Sequence, residues 1–244
     1  MSSTRGESRR LPKAWQDTAR IQLLAVALGV LPVYASSVIL YVRGDPSIST
    51  EGFILYLAVI SPLAIAGALL LLRLLCGARP RDLNLKPGTL RRDLVATLAL
   101  TPAILVANAV STFVLSGWFP ESASNPSVRM LFAEVAADPQ LLALFLGLLL
   151  LLGAASEEVI RVFLLSRLWK VWPSAFGKLS AVAVSAGLFG LAHLYQGPVH
   201  VIWAGIFGLG LAFYYLWAGR VLPLILAHYA TNAIQLIVFA ARAA

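Results

Sequence analysis

Charge is scarce in this chain of 244 residues: 12% of positions are Asp, Glu, Lys or Arg, against 59% hydrophobic. A soluble domain carries about 25% charged residues. A chain this poor in charge, with mean hydropathy +0.84, leaves no room for a sizeable soluble domain. There is one cysteine, Cys76, which excludes an intramolecular disulfide. No serine or cysteine is set up as a nucleophile: Ser156 adjoins Glu157, but the sequence pairs it with no base. The net charge of +8 comes without an aromatic-interleaved basic groove. The basic residues sit at the ends of apolar segments, as the positive-inside rule requires, and this excludes a nucleic-acid reading. No repeat relates the two halves, which weighs against a transporter using Glu157 or Glu158 as a proton site.

What the chain has in abundance is apolar runs of about 20 residues, the length of a membrane-spanning helix. The expected fold is all-α, a polytopic transmembrane helical bundle of about seven to eight helices. Residues 1–18 are expected as a cytoplasmic tail and 19–244 as one membrane-embedded unit. Seven spans are expected, near 20–42, 51–75, 94–117, 140–171, 179–195, 199–218 and 221–241. The first has no small-residue cleavage site after it and reads as an uncleaved span; its internal Pro32 should kink it. Between the third and fourth, part of 119–140 could form a short interfacial helix. The fourth, 32 residues if fully helical, is longer than a span needs at about 1.5 Å per residue. Gly205, Gly208 and Gly210 in the sixth should let a neighbouring helix approach. Arg9, Arg10, Lys13, Arg73, Arg79, Arg91, Arg92, Arg167, Lys170 and Arg220 all fall on one side of seven spans. That places the N-terminus in the cytoplasm.

Against this background a few polar groups stand inside apolar segments. Glu157 and Glu158 interrupt the fourth, with Arg161 three to four residues on and so on the same helical face. His193 closes the fifth, one turn after Phe189, and His228 and Asn232 repeat that spacing in the seventh. His200, at the start of the sixth, is expected at the interface. Each group alone could be structural: an ion pair between helices, a helix-end histidine, a polar helix contact. Together they suit chemistry, since ionisable groups in hydrocarbon are costly and usually functional. Two imidazoles and a carboxylate can hold a divalent metal or orient a water. A second carboxylate can serve as base, and an asparagine can donate to a developing oxyanion. Counted from the basic end, His228 lies about 10 Å in and His193 about 20 Å in. A tilted or broken fifth helix is needed to bring them level.

The ordered set resembles the CPBP family of intramembrane proteases. That family includes the prenyl-protein (CAAX) endopeptidases and bacteriocin-processing or immunity relatives. The matching motifs are Glu157, Glu158 and Arg161 in SEEVIRVFLLSRL, Phe189 and His193 in LFGLAHLYQG, and His228 with Asn232. The likeness is concentrated in a core at 140–241. One departure is that the family spaces its second Glu and Arg by three residues, whereas here only Val159 and Ile160 intervene. The resemblance implies an endopeptidase of bacterial type in the inner membrane, acting on a membrane-associated protein or peptide. It implies Glu157 as base or metal ligand, and Glu158 with Arg161 as a supporting pair. It implies His193 and His228 holding water or Zn2+, and Asn232 beside the oxyanion. The competing reading is a non-proteolytic binding or immunity protein of the same fold.

Overall fold

The structure, a computed structural model, describes residues 13–42, 49–83, 90–118 and 125–243. Most of the expected basic tail lies outside the described residues. So do the polar turn after the first span, part of the basic loop before the third, and the start of the acidic stretch after it.

The described chain is helical. Its elements are α1 (Ala19–Gly29) and α2 (Leu31–Val42), α3 (Thr50–Leu74), α4 (Leu90–Ser116) and α5 (Pro126–Ala137). They continue with α6 (Pro139–Val171), α7 (Ala175–Ala192), α8 (Pro198–Ala218) and α9 (Leu222–Ala243). Six of these helices are long and apolar enough to cross a membrane. The expected first span is instead a joined pair, α1 and α2, broken at Val30. Pro32 stands in the first turn of α2, where its missing N–H costs nothing. The fifth span starts earlier than expected because Ser174 caps it, its hydroxyl accepting from Gly177 N at 3.0 Å. It stops at Ala192 rather than 195: His193 turns out of the helix, and a short 3-10 turn, Leu194–Gln196, leads to Pro198.

The outer surface is apolar. Phe113 and Trp217 are each 83% exposed and Leu98 73%, which suits lipid rather than water. The buried interior gathers around the second half of α6, where nearly every residue from Glu158 to Leu168 is buried. Helices α1, α3, α7 and α9 all pack on α6. The Arg167 guanidinium donates to Gln22 Oε1 of α1 at 3.1 Å, and Lys170 reaches Asp17 at 3.1 Å. Helix α9 runs along α4, and buried Asp93 of α4 grips Arg220, in the turn before α9, through both carboxylate oxygens. A π-helical turn, Leu149–Ala154, sits in α6 just before Glu157. Such turns re-aim the side chains that follow and recur at functional sites.

Candidate active site

Four helices and one turn bring the polar groups together. Glu157 and Glu158 are adjacent on α6, so they point about 100° apart. Glu158 points inward and is fully buried. One of its oxygens lies 3.2 Å from Arg161 Nη2 and accepts from His228 Nδ1 at 2.8 Å. Arg161, also fully buried, donates from Nη1 to the Gly208 carbonyl of α8 at 2.8 Å. Its guanidinium carbon lies 3.9 Å from the centroid of the Phe189 ring. The shortened spacing between Glu158 and Arg161 therefore still closes an ion pair, because i+3 and i+4 share a helical face. Gly208 is required for it: a Cβ there would stand 2.9 Å from the Phe189 ring and 3.0 Å from Arg161 Nη1. Of the three expected approach glycines, Gly210 has nothing near it.

Glu157 points the other way. Its side chain is 36% exposed, and its Oε2 lies 3.6 Å from His228 Nε2 and 4.0 Å from His193 Nε2. Both rings are oriented from behind. His193 Nδ1 meets the Phe189 carbonyl at 2.9 Å; a carbonyl only accepts, so Nδ1 carries the proton and a neutral ring leaves Nε2 as acceptor. His228 Nδ1 meets the Glu158 carboxylate, which leaves its Nε2 toward Glu157. Phe207 packs edge-on against His228, ring centroids 4.7 Å apart. Phe189 has three roles: its carbonyl holds His193, and its ring lies under both His193, at 4.6 Å, and Arg161. His193 follows the last residue of the span α7. Burial pushes its imidazole below the ordinary value, and the nearby Glu157 carboxylate opposes that push.

Asn232 is half-buried on α9, one turn beyond His228 on the same face. His200, at the start of α8, is half-buried, and the Gln196 backbone is a hydrogen-bonding influence on its ring. Ser156 donates to the Gly153 carbonyl at 3.0 Å and not toward a base. Three tyrosines that the motifs do not mark also lie within electrostatic reach of Glu157. The hydroxyls of Tyr34 on α2, Tyr56 on α3 and Tyr195 after α7 all feel its charge.

The donor set fits a divalent metal in its chemistry, since each ring Nδ1 is tied and each Nε2 is free, as in metal-bound histidines. The spacing is looser. Ligand atoms on a tetrahedral zinc at about 2.05 Å stand about 3.4 Å apart, and among the described residues no three His, Cys, Asp or Glu groups gather that closely. The same atoms are within the reach of a bridging water. Both separations are shorter than two hydrogen bonds of about 2.8 Å, so one water can bridge the carboxylate to either ring nitrogen.

Comparison with known proteins bears on the same segment. Residues 139–234 match the family model described as type II CAAX prenyl endopeptidase Rce1-like. No curated protein and no solved structure matches the chain. The matched stretch begins with α6 and ends inside α9, and it contains Glu157, Glu158, Arg161, His193, His228 and Asn232.

Proposed function

We propose, from the premise that residues 139–234 form an Rce1-like CAAX-protease domain in a multi-pass membrane protein, that the chain hydrolyses a peptide bond with a water activated by Glu157. The domain classes the protein as an intramembrane protease; the assignment of roles is our reading. The observation that carries it is Glu157 Oε2 facing the free Nε2 atoms of His193 and His228 at 4.0 and 3.6 Å. Glu157 takes a proton from the water as its oxygen attacks the scissile carbonyl. Asn232 donates to the carbonyl oxygen as it becomes anionic. The intermediate then collapses, the C–N bond breaks, and Glu157 returns the proton to the leaving amine. The Glu158–Arg161 pair does not touch substrate in this scheme. Glu158 fixes the His228 tautomer, and Arg161 sets an opposite charge 3.2 Å from Glu158 in a dry interior.

Zinc bound here would be held by Glu157, His193 and His228 and would supply Lewis-acid polarisation. Activity in protein shown to be metal-free after chelation would leave those residues acting on water alone. Activity lost on stripping and restored by zinc would make them ligands.

The substrate class is a membrane-associated protein or peptide, since the site lies among lipid-facing helices. Lys170 with Asp17 at one end of the bundle, together with the sequence bias of Arg and Lys, supports a cytoplasmic N-terminus in a cell inner membrane. Termini profiling by mass spectrometry tests the function, on membranes carrying either the wild type or Glu157→Gln. New protein ends present only with the wild type are expected. Identical termini in both would favour the non-proteolytic binding or immunity reading.

A further inference from the structure

Around the site, five buried polar atoms have no hydrogen-bond partner among the described residues: Glu157 Oε2, Glu158 Oε2, Arg161 Nε and Nη2, and Tyr34 Oη. Arg161 Nη2 sits 3.2 Å from Glu158 without hydrogen-bond alignment. Their chemistries are complementary. The guanidinium nitrogens only donate and the carboxylate oxygens only accept, whereas a tyrosine hydroxyl does both. Tyr34 is 5% exposed and shares its core with Phe163 and Phe189. Its helix, α2, packs against α7 and against the turn that follows His193. Its hydroxyl lies within electrostatic reach of the Arg161 guanidinium first, then of Glu157 and Glu158. The other two tyrosines differ. Tyr56 is 37% exposed, and the Tyr195 hydroxyl already accepts from Gln196 Nε2 at 2.7 Å.

We propose that Tyr34 is a positioning residue for the hydrolysis, its hydroxyl accepting a hydrogen bond from Arg161 and donating one to Glu157, each through one buried water. This proposal rests on the reading of Glu157 given above. It links the buried chain Arg161–Glu158–His228 to the carboxylate that faces the water, and it holds Oε2 between the two imidazoles. A bridging water is well suited to a spot where it has three polar partners. Tyr34 lies outside the matched stretch 139–234. The N-terminal helices thus complete the site as well as embed it.

The test is Tyr34→Phe, which keeps the ring and removes only the hydroxyl. Wild type, Tyr34→Phe and Glu157→Gln are reconstituted in vesicles and assayed with a quenched fluorescent peptide of apolar sequence selected because the wild type cleaves it. Loss of one hydrogen bond to a charged group should lower kcat about tenfold, with KM within about twofold and the variant still folded at the assay temperature. If Tyr34 merely fills space, Tyr34→Phe keeps full kcat and melts at or above the wild-type temperature. That outcome would overturn the proposal, provided Glu157→Gln is inactive. An active Glu157→Gln would instead overturn the reading of Glu157 itself. A structure resolving ordered water gives a second readout should Tyr34→Phe fold poorly. Tyr34 Oη within about 3.2 Å of a water that Glu157 shares is expected. A hydroxyl enclosed by carbon alone would refute it.

Discussion

At the scale of single residues, the two glutamates show how one helical step separates roles. Glu158 is fully buried against Arg161 and His228, while Glu157 keeps an open face. The types and the spacing were legible in the sequence. Which carboxylate turned inward was argued only from their 100° separation, and the Gly208 carbonyl that completes the Arg161 contacts lies 47 residues away, beyond any local pattern. Removing one partner of a buried pair leaves a bare charge, at a cost of about 3–5 kcal/mol. Arg161→Ala should therefore lower the melting temperature of the purified protein sharply. A double change, Glu158→Gln with Arg161→Met, should recover much of that stability, because neither side is then charged and the introduced amide oxygen can still accept from His228. An Arg161→Ala protein as stable as the wild type would show that the pair is not isolated from solvent. His193 gives a pH prediction. Its imidazole is held below the ordinary value by burial, so it is neutral at pH 7. Its Nε2 lone pair is lost only when pH falls through a value under about 6.5. The His193 contribution to the acid limb of kcat/KM should lie below that pH; a limb that moves on His193 substitution but is centred above it would contradict the assigned tautomer.

At the scale of elements, the helices follow from the apolar runs, and their ends follow from capping groups. Ser174 starts α7 and Thr18 starts α1. Periodicity could not read the break at Val30 or the end of α7 at His193, since apolar residues continue on both sides. The departure of His193 from the helix is one reason that imidazoles at unequal sequence depths can meet at Glu157. The contact of α7 with α8 sets this geometry, because α7 carries Phe189 and His193 while α8 carries Gly208. At Gly190 the two backbones come close: a Cβ there would stand 2.5 Å from the Val201 carbonyl oxygen. Backbone cannot yield as a side chain can, so Gly190→Ala should separate the helices, lower the melting temperature and reduce activity. Gly210→Ala, with nothing within 4 Å of its added carbon, should change stability by no more than about 0.5 kcal/mol. Thermal unfolding of the two variants in the same detergent makes the comparison; equal effects would mean that the α7–α8 approach is not limiting.

At the scale of the whole molecule, the bundle holds a connected chain of five ionisable side chains, Arg161, Glu158, His228, Glu157 and His193, in a largely apolar interior. Composition alone made the membrane class legible, and the ordered motifs made the matched stretch legible. The contribution of the N-terminal helices was not, because Tyr34 stands in an apolar run with no motif around it, and only folding places α2 beside the turn after His193. The Asp93–Arg220 grip is of the same kind, joining positions 127 residues apart and fixing where α9, with His228 and Asn232, begins against α4. The central claim is that Glu157 activates the attacking water within this assembly. Its most direct test is cleavage of one defined membrane-associated peptide by the purified protein in vesicles, measured for wild type and for Glu157→Gln at matched folded concentration. The account predicts cleavage by the wild type and none above background by Glu157→Gln, with both proteins melting at closely similar temperatures. Undiminished cleavage by a folded Glu157→Gln protein would contradict it.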